Sequence, residues 1–459
     1  MRHRADDLPL PMDRTLLFIV LGMLVLGLVM AFSSTLFYLD ETSGTLVSQQ
    51  FMNQLFAAGI GLAGMLVISR VDYAIWRRFA LPIMAVVLLL LVAVLFTQKT
   101  LGASRWLFDR RFQPSELAKG AMVIYGATWL ASRRDQLGSF LTGLLPFGLI
   151  VGITALLIIV EPDFGTTSVV VAISVMMFFL AGASLKHFLA VGATAGVTGA
   201  LAYPVLMSLF PHAAARVANF AQSTDPNYWQ NHVPQAKIAF ALGHFFGSGL
   251  GSSSQKQGFL PLPQTDSILA VLGEELGLLG LILTLALFAL FAWRCLAIAR
   301  SADSHFGAFI CVGVMTWLVV QLCINALSLM EVIPFTGIPV PFLSIGGTSL
   351  VSVMAACGLV LSVSRGSRRL AMAPARAASR VRAQARPTRG DQGEGDALSR
   401  GNGRTRAPRT NRAVSVTTNA DVPVLVGRDI RVRRTTTSTR GGAVRREPKR
   451  NGGGARPTR

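Results

Sequence analysis

Leu16–Phe32 reads LLFIVLGMLVLGLVMAF, and no charged residue lies between Arg14 and Asp40. A helix needs about 20 mostly apolar residues to cross the ~30 Å hydrocarbon core of a bilayer. This stretch and its flanks meet that length. It is too long for the apolar part of a signal peptide, and no small-residue cleavage site follows it, so it reads as a retained membrane helix. The same texture returns at Leu81–Phe96 with its flanks and at Gly277–Trp293. Across the chain 52% of residues are hydrophobic and 14% charged. A soluble domain carries about 25% charged residues. The sequence therefore predicts an all-α polytopic membrane protein and excludes an ordinary soluble enzyme.

Apolar runs place ten transmembrane helices at 15–37, 51–69, 78–97, 115–131, 141–160, 166–183, 187–208, 267–297, 306–329 and 343–364. Basic residues in short loops set the orientation. With both termini cytoplasmic, the inner stretches hold Arg14, Arg70, Arg77, Arg78, Arg133, Arg134, Lys186, Arg294, Arg300 and Arg365. A large extracytoplasmic loop, 209–266, then joins helices 7 and 8. It carries Arg216, Lys237 and Lys256 on the outer side, as the loop at 99–111 carries Arg105 and Arg111. Cations kept outside against the topological bias suit an anionic ligand.

Charge divides the chain into a short N-terminal segment (1–14), a membrane body (15–365) and a tail (366–459). The tail holds 23 Lys/Arg against 6 Asp/Glu and no Phe, Trp or Tyr. That composition predicts disorder, because too little apolar surface is there to bury. Its cytoplasmic arginines suit anionic lipid head groups. Nucleic acid is not an expected partner, since aromatic residues do not interleave the charges. The cysteines 295, 311, 323 and 357 lie in or beside apolar runs without metal-ligand spacing and read as small buried hydrophobes.

Ionisable groups at membrane depth are costly and so are functional candidates. Glu116 and Lys119 are spaced to pair on one helix face, for structure or for function. In Glu161-Pro162-Asp163, Asp163 is placed to cap the next helix. The segment from Gly247 to Lys256 reads either as a flexible linker or as backbone able to approach a phosphate. Glu274 and Glu275 are adjacent and cannot share a helix face. Helix eight reads as one continuous helix from about Asp266 to Arg294, over ~40 Å long, with a small-residue stripe at Ala270, Gly273, Gly277 and Gly280. Asp266, after Pro261 and Pro263, stands where the loop enters this helix. Two readings are open for it: a half-desolvated general base, or an N-cap shared with Thr265.

In order along the chain come Gly102-Ala103-Ser104-Arg105-Trp106, Gln113-Pro114-Ser115-Glu116-Leu117-Ala118-Lys119, and Glu161-Pro162-Asp163-Phe164-Gly165-Thr166. Leu260 to Asp266 and Gly273-Glu274-Glu275-Leu276-Gly277 follow. Thr336 to Ser344 and Gly346-Gly347-Thr348-Ser349 complete the set. Together these resemble the SEDS family, the group containing FtsW and RodA, over residues 14–365. The sequence departs from the family pattern at Glu161, Leu262 and Gln264. The resemblance implies a peptidoglycan glycosyltransferase polymerising lipid II, with Asp266 as its essential aspartate. Arg105, Arg111, Lys119, Arg216 and Lys256 are the cations available to the lipid pyrophosphate. Gln113, Glu116, Glu161, Asp163, Thr265, Glu274 and Glu275 are supporting residues. The resemblance further implies a divalent cation (Mg or Mn), no organic cofactor, and a class B penicillin-binding protein transpeptidase as partner, with other divisome proteins. Asp13-Arg14, Asp72-Tyr73, Trp76-Arg77-Arg78 and the long tail resemble the division-type branch and point to the septum. A lipid II flippase, an elongation-type polymerase and a non-catalytic division scaffold are the alternatives.

Overall fold

The computed structural model describes residues 12–35, 48–97, 105–107, 112–182 and 232–384, with isolated positions between 192 and 208; from 367 to 384 it describes backbone only. In chain order the helices are α1 (Arg14–Thr35), α2 (Gln49–Arg70), α3 (Tyr73–Val94), α4 (Pro114–Ser132), α5 (Leu145–Val160) and α6 (Phe164–Leu180). Then come α7 (His232–Gly243), α8 (Ile268–Glu275), α9 (Gly277–Arg300), α10 (His305–Leu329) and α11 (Gly347–Gln384). Their starts follow local chemistry. Ser48, Asp72, Asp163 and Ser304 each accept a hydrogen bond from a first-turn backbone N–H, which satisfies donors that the helix itself leaves unpaired.

Seven helical stretches are long and apolar enough to cross a membrane among the described residues: Arg14–Thr35, Gln49–Arg70, Tyr73–Val94, Phe140–Val160, Gly277–Arg300, His305–Leu329 and Gly347–Gly366. The shorter α6 and the charge-bearing α4 join them in one bundle. α4, α6 and α10 pack on one another at its centre. Phe18, Phe56, Leu89, Leu149 and Leu285 stay exposed on outer faces, which suits a body whose solvent is lipid. The expected helix at 187–208 and the first part of the long loop, 209–231, lie outside the described residues.

The two ends of the bundle differ. At one end Arg294 pairs with Asp13, at 2.5 Å between Nη2 and Oδ2. There Arg365 donates to the carbonyl of Ser69 and Arg134 meets His305. The other end gathers the C-termini of α1, α5 and α10 with the N-termini of α2, α4, α6, α8 and α11.

Two sequence expectations change. The single helix expected over 267–297 is two helices, broken at Leu276–Gly277. Gly277 has φ +67°, and a Cβ there would lie 2.3 Å from the backbone N of Gly247. Glycine takes that conformation without steric cost, and no Cβ fits that approach. The backbone groups freed by the break are taken up by the preceding loop. Leu278 and Leu279 donate to the carbonyls of His244 and Phe245, while Ser248 and Gly249 donate to those of Glu274 and Glu275. At the other terminus, backbone helix continues through Gln384, although composition alone predicts no order beyond 365. Ala, Arg, Leu and Met favour helix strongly enough to extend a span already formed.

Candidate active site

Asp266 is positioned through its backbone. Three successive carbonyls are bonded by α10 and by the segment opposite: that of Gln264 by Ile345 N at 2.9 Å, that of Thr265 by Ser344 Oγ at 2.6 Å, and that of Asp266 by Asn325 Nδ2 of α10 at 2.8 Å. α8 begins only at Ile268, with Ser267 as its cap residue and no side-chain capping bond. The wall opposite is the extended segment after α10. Gly165 of α6 approaches it so closely that a Cβ there would lie 2.3 Å from the Ile338 side chain. Thus α6, α8 and α10 converge on one segment.

Asp266 is half-buried and lines a cavity of about 600 Å³ at this end of the bundle. Arg105, Gln113, Glu116, Asp163 and Thr265 line the same cavity, with Gln50, Trp106 and Gln264, and with Ile338, Pro339, Thr348 and Ser349 from the segment before and into α11. Asp163 accepts from Thr166 N and Oγ1 at 3.0 and 2.9 Å and from Gln113 Nε2 at 3.2 Å. It is both the cap of α6 and part of the cavity wall. Arg105 donates to the carbonyls of Glu161 and Pro162, which fixes the guanidinium at the cavity while pinning the turn beneath it.

Glu161 lies behind that wall at 0% exposure, and neither carboxyl oxygen has a hydrogen-bond partner. Burial first, then the nearby Asp163 charge, push its pKa up to about 9, with Arg105 opposing. Glu161 is thus a neutral acid at physiological pH. Glu116 pairs with Lys119 at 2.8 Å. Lys119 is 0% exposed, donates to Gln321 Oε1 at 3.0 Å and lies 5.2 Å from the Trp317 ring centroid. Glu116 Oε2 has no partner.

A second buried cluster holds the loop. Glu274 accepts from Ser253 Oγ at 2.5 Å, from Ser254 N and Oγ at 2.7 and 2.9 Å, and from Gln255 N. Lys256, 2% exposed, pairs with Glu275 at 2.6 Å and donates to Ser33. The glycine- and serine-rich segment is therefore neither a slack linker nor a phosphate cradle. Its donors are spent within the protein, on the Glu274 and Glu275 carboxylates and carbonyls and on Ser33.

The structure brings together on the cavity Arg105, Gln113, Glu116, Asp163, Thr265 and Asp266. It corrects one expectation. Lys119 and Lys256 are buried in internal ion pairs and do not line the cavity, so neither is an available cation for a substrate phosphate. Glu274 and Glu275 belong to the loop cluster, away from the cavity lining. Arg111 and Arg216 lie outside the described residues. Sequence reasoning missed Gln50, Gln321 and Asn325. The last two are polar residues inside an otherwise apolar span, a signal that could have found them. Among the described residues no three His, Cys, Asp or Glu side chains are grouped to hold a metal ion.

The family model covering FtsW, RodA and SpoVE, described as "Cell cycle protein", matches residues 14–369. The chain belongs to this family. It is 34% identical over 372 residues to a probable peptidoglycan glycosyltransferase FtsW of Trichlorobacter lovleyi, covering 77% of this chain and 93% of that one. It is 36% identical over 365 residues to stage V sporulation protein E of Bacillus subtilis, covering 78% and 98%. The fold matches that of the rod shape determining protein RodA of Thermus thermophilus with a TM-score of 0.56 at 25% identity, over 77% of this chain and 97% of that chain. It also matches a chain of a peptidoglycan synthase complex solved for its coordination of polymerization and crosslinking, with a TM-score of 0.63 at 24% identity, over 78% and 98%. As a family member the chain is a multi-pass membrane protein of cell-wall synthesis.

Proposed function

We propose that this FtsW/RodA/SpoVE family member is a peptidoglycan glycosyltransferase that polymerises lipid II, with the Asp266 cavity as its active site. The observation that carries the proposal is the convergence of Asp266 and Arg105 on one cavity at a single end of the bundle. Asp266 takes the proton of the acceptor sugar's 4-hydroxyl as that oxygen bonds to the donor's anomeric carbon. The bond from that carbon to the lipid pyrophosphate breaks, and the pyrophosphate leaves with the electron pair. Attack from the opposite face inverts the α-linkage to β-1,4. A base so placed contributes about 10²–10⁴-fold. Arg105, held by two carbonyls, offers fixed positive charge where the phosphates gain negative charge.

The cavity end faces the extracytoplasmic side and the arginine-bearing end the cytoplasm, by the positive-inside rule, with ten crossings in all. The partner is a class B penicillin-binding protein, and the cellular role is septal synthesis. This is an enzyme rather than a flippase because Lys119 and Gln321, the next polar groups toward the bundle centre, are fully buried and bonded to each other.

Proteoliposomes holding the protein and its transpeptidase, with dansylated lipid II in both leaflets, test this. The expected result is polymer that a muramidase digests, formed from outer-leaflet lipid II, without exchange of monomer between leaflets. Leaflet exchange without polymer contradicts it.

A further inference from the structure

Asn325 stands on α10 one turn beyond Gln321, at 1% exposure. A carboxamide inside an apolar span is costly unless its hydrogen bonds are made. Its Nδ2 donates to the carbonyl of Asp266 at 2.8 Å and to that of Ile338 at 2.6 Å. These partners fix the amide orientation, since a flipped amide would set its oxygen against two carbonyl oxygens. Asn325 Oδ1 has no hydrogen-bond partner. The protein thus tolerates one unsatisfied acceptor in order to place a double donor here.

Both clamped residues line the cavity, and Asn325 itself does not. Gln321 makes the parallel link one turn earlier. It receives Lys119 and Trp317 on Oε1, at 3.0 and 2.7 Å, and donates from Nε2 to the carbonyl of Pro339 at 2.6 Å. α10 therefore ties the Ile338–Pro339 wall to the two acidic sides of the cavity, through Lys119 to Glu116 and directly to Asp266.

We propose that Asn325 is the positioning residue of Asp266, acting by holding its backbone carbonyl at a fixed distance from that of Ile338 and so setting where its carboxylate meets the acceptor hydroxyl. This rests on the reading of Asp266 as the base. A displacement of about 1 Å from productive geometry costs on the order of 100-fold in rate. Because Asn325 does not line the cavity, the loss falls on kcat rather than on KM.

The test uses full-length protein in complex with its transpeptidase and fluorescent lipid II. Asn325→Ala is expected to lower kcat on the order of 10–100-fold with KM within about twofold. Asn325→Ser, which keeps one donor, is expected to recover part of the rate. In the Asp266→Asn background, Asn325→Ala is expected to leave lipid II affinity unchanged. Wild-type kcat in Asn325→Ala overturns the inference. So does a tenfold loss of affinity in the Asp266→Asn background, because it shows a collapsed cavity rather than a misplaced carboxylate. Should the alanine variant not purify as a monodisperse complex, Asn325→Ser and Asn325→Asp carry the same comparison. The two readings fail separately. Full activity in Asp266→Asn removes the base assignment, while an inactive Asp266→Asn beside a wild-type Asn325→Ala removes only the positioning role.

Discussion

Replacing Glu161 with Gln should stabilise the protein by an amount that grows with pH. The carboxyl is fully buried, without hydrogen-bond partners, and its pKa is pushed up to about 9 from 4.5. Above pH 4.5 the unfolded chain releases this proton while the folded chain keeps it. The unfolded state is therefore stabilised relative to the folded one by about 1.4 kcal/mol per pH unit until the folded group ionises near pH 9. At pH 7 the cost to the fold is about 3 kcal/mol. It is absent below pH 4.5 and complete above pH 9. Glutamine has nearly the same shape but no titration, and any mismatch of its amide is the same at every pH. The difference in stability between Glu161→Gln and wild type should thus rise by about 4 kcal/mol between pH 5 and pH 8. With an unfolding entropy of ~2 cal/mol/K per residue, that widens the Tm gap by about 5 °C. Thermal unfolding of both proteins in one detergent, in matched buffers across that range, reads the effect. A Tm gap that does not change with pH would refute the reasoning, because it would mean that Glu161 is ionised in the folded protein.

The loop cluster and the helix break give two more expectations. Lys256→Met leaves the buried Glu275 carboxylate unpaired and should cost about 3–5 kcal/mol, whereas Lys256→Met with Glu275→Gln should recover most of that loss. Thermal stability of the two single variants and the double gives the cycle, and additive losses would mean that the pair is not coupled. Gly277→Ala places a Cβ against the backbone of Gly247 and Phe245 at φ +67°. It should lower Tm by several degrees, while Gly148→Ala, where a Cβ meets nothing within 4 Å, should leave Tm within about a degree.

Much of the fold was legible because lipid as solvent imposes a simple rule. Long apolar runs such as Leu16–Phe32 and Gly277–Trp293 have one stable disposition, and Asp163 caps α6 as its place before that helix predicts. The break at Gly277 was not legible. Ala270, Gly273, Gly277 and Gly280 share helical spacing, and nothing local distinguishes a glycine needed for close packing from one needed at positive φ. Only the arrival of the 244–249 loop, from a distant point in the chain, decides between them. The same cause hid the fate of Lys256, which looks in sequence like an available positive charge yet is paired with Glu275 of α8, whereas the pairing of Lys119 with Glu116 is already written in their spacing. Arg105, Asp163 and Asp266 were legible as candidates, because charge beside a membrane span requires a reason. Asn325 carries a like signal as a polar residue in an apolar span, but its role shows only through the two carbonyls it joins.

As the base, Asp266 would remove the acceptor proton in strand synthesis. The most direct measurement is polymerisation of labelled lipid II by the purified complex with its transpeptidase, comparing wild type with Asp266→Asn, which keeps the size and removes the base. Wild type should make long glycan strands, and the folded, lipid II-binding Asp266→Asn complex should polymerise at least about 100-fold more slowly. Equal polymerisation by both would contradict it.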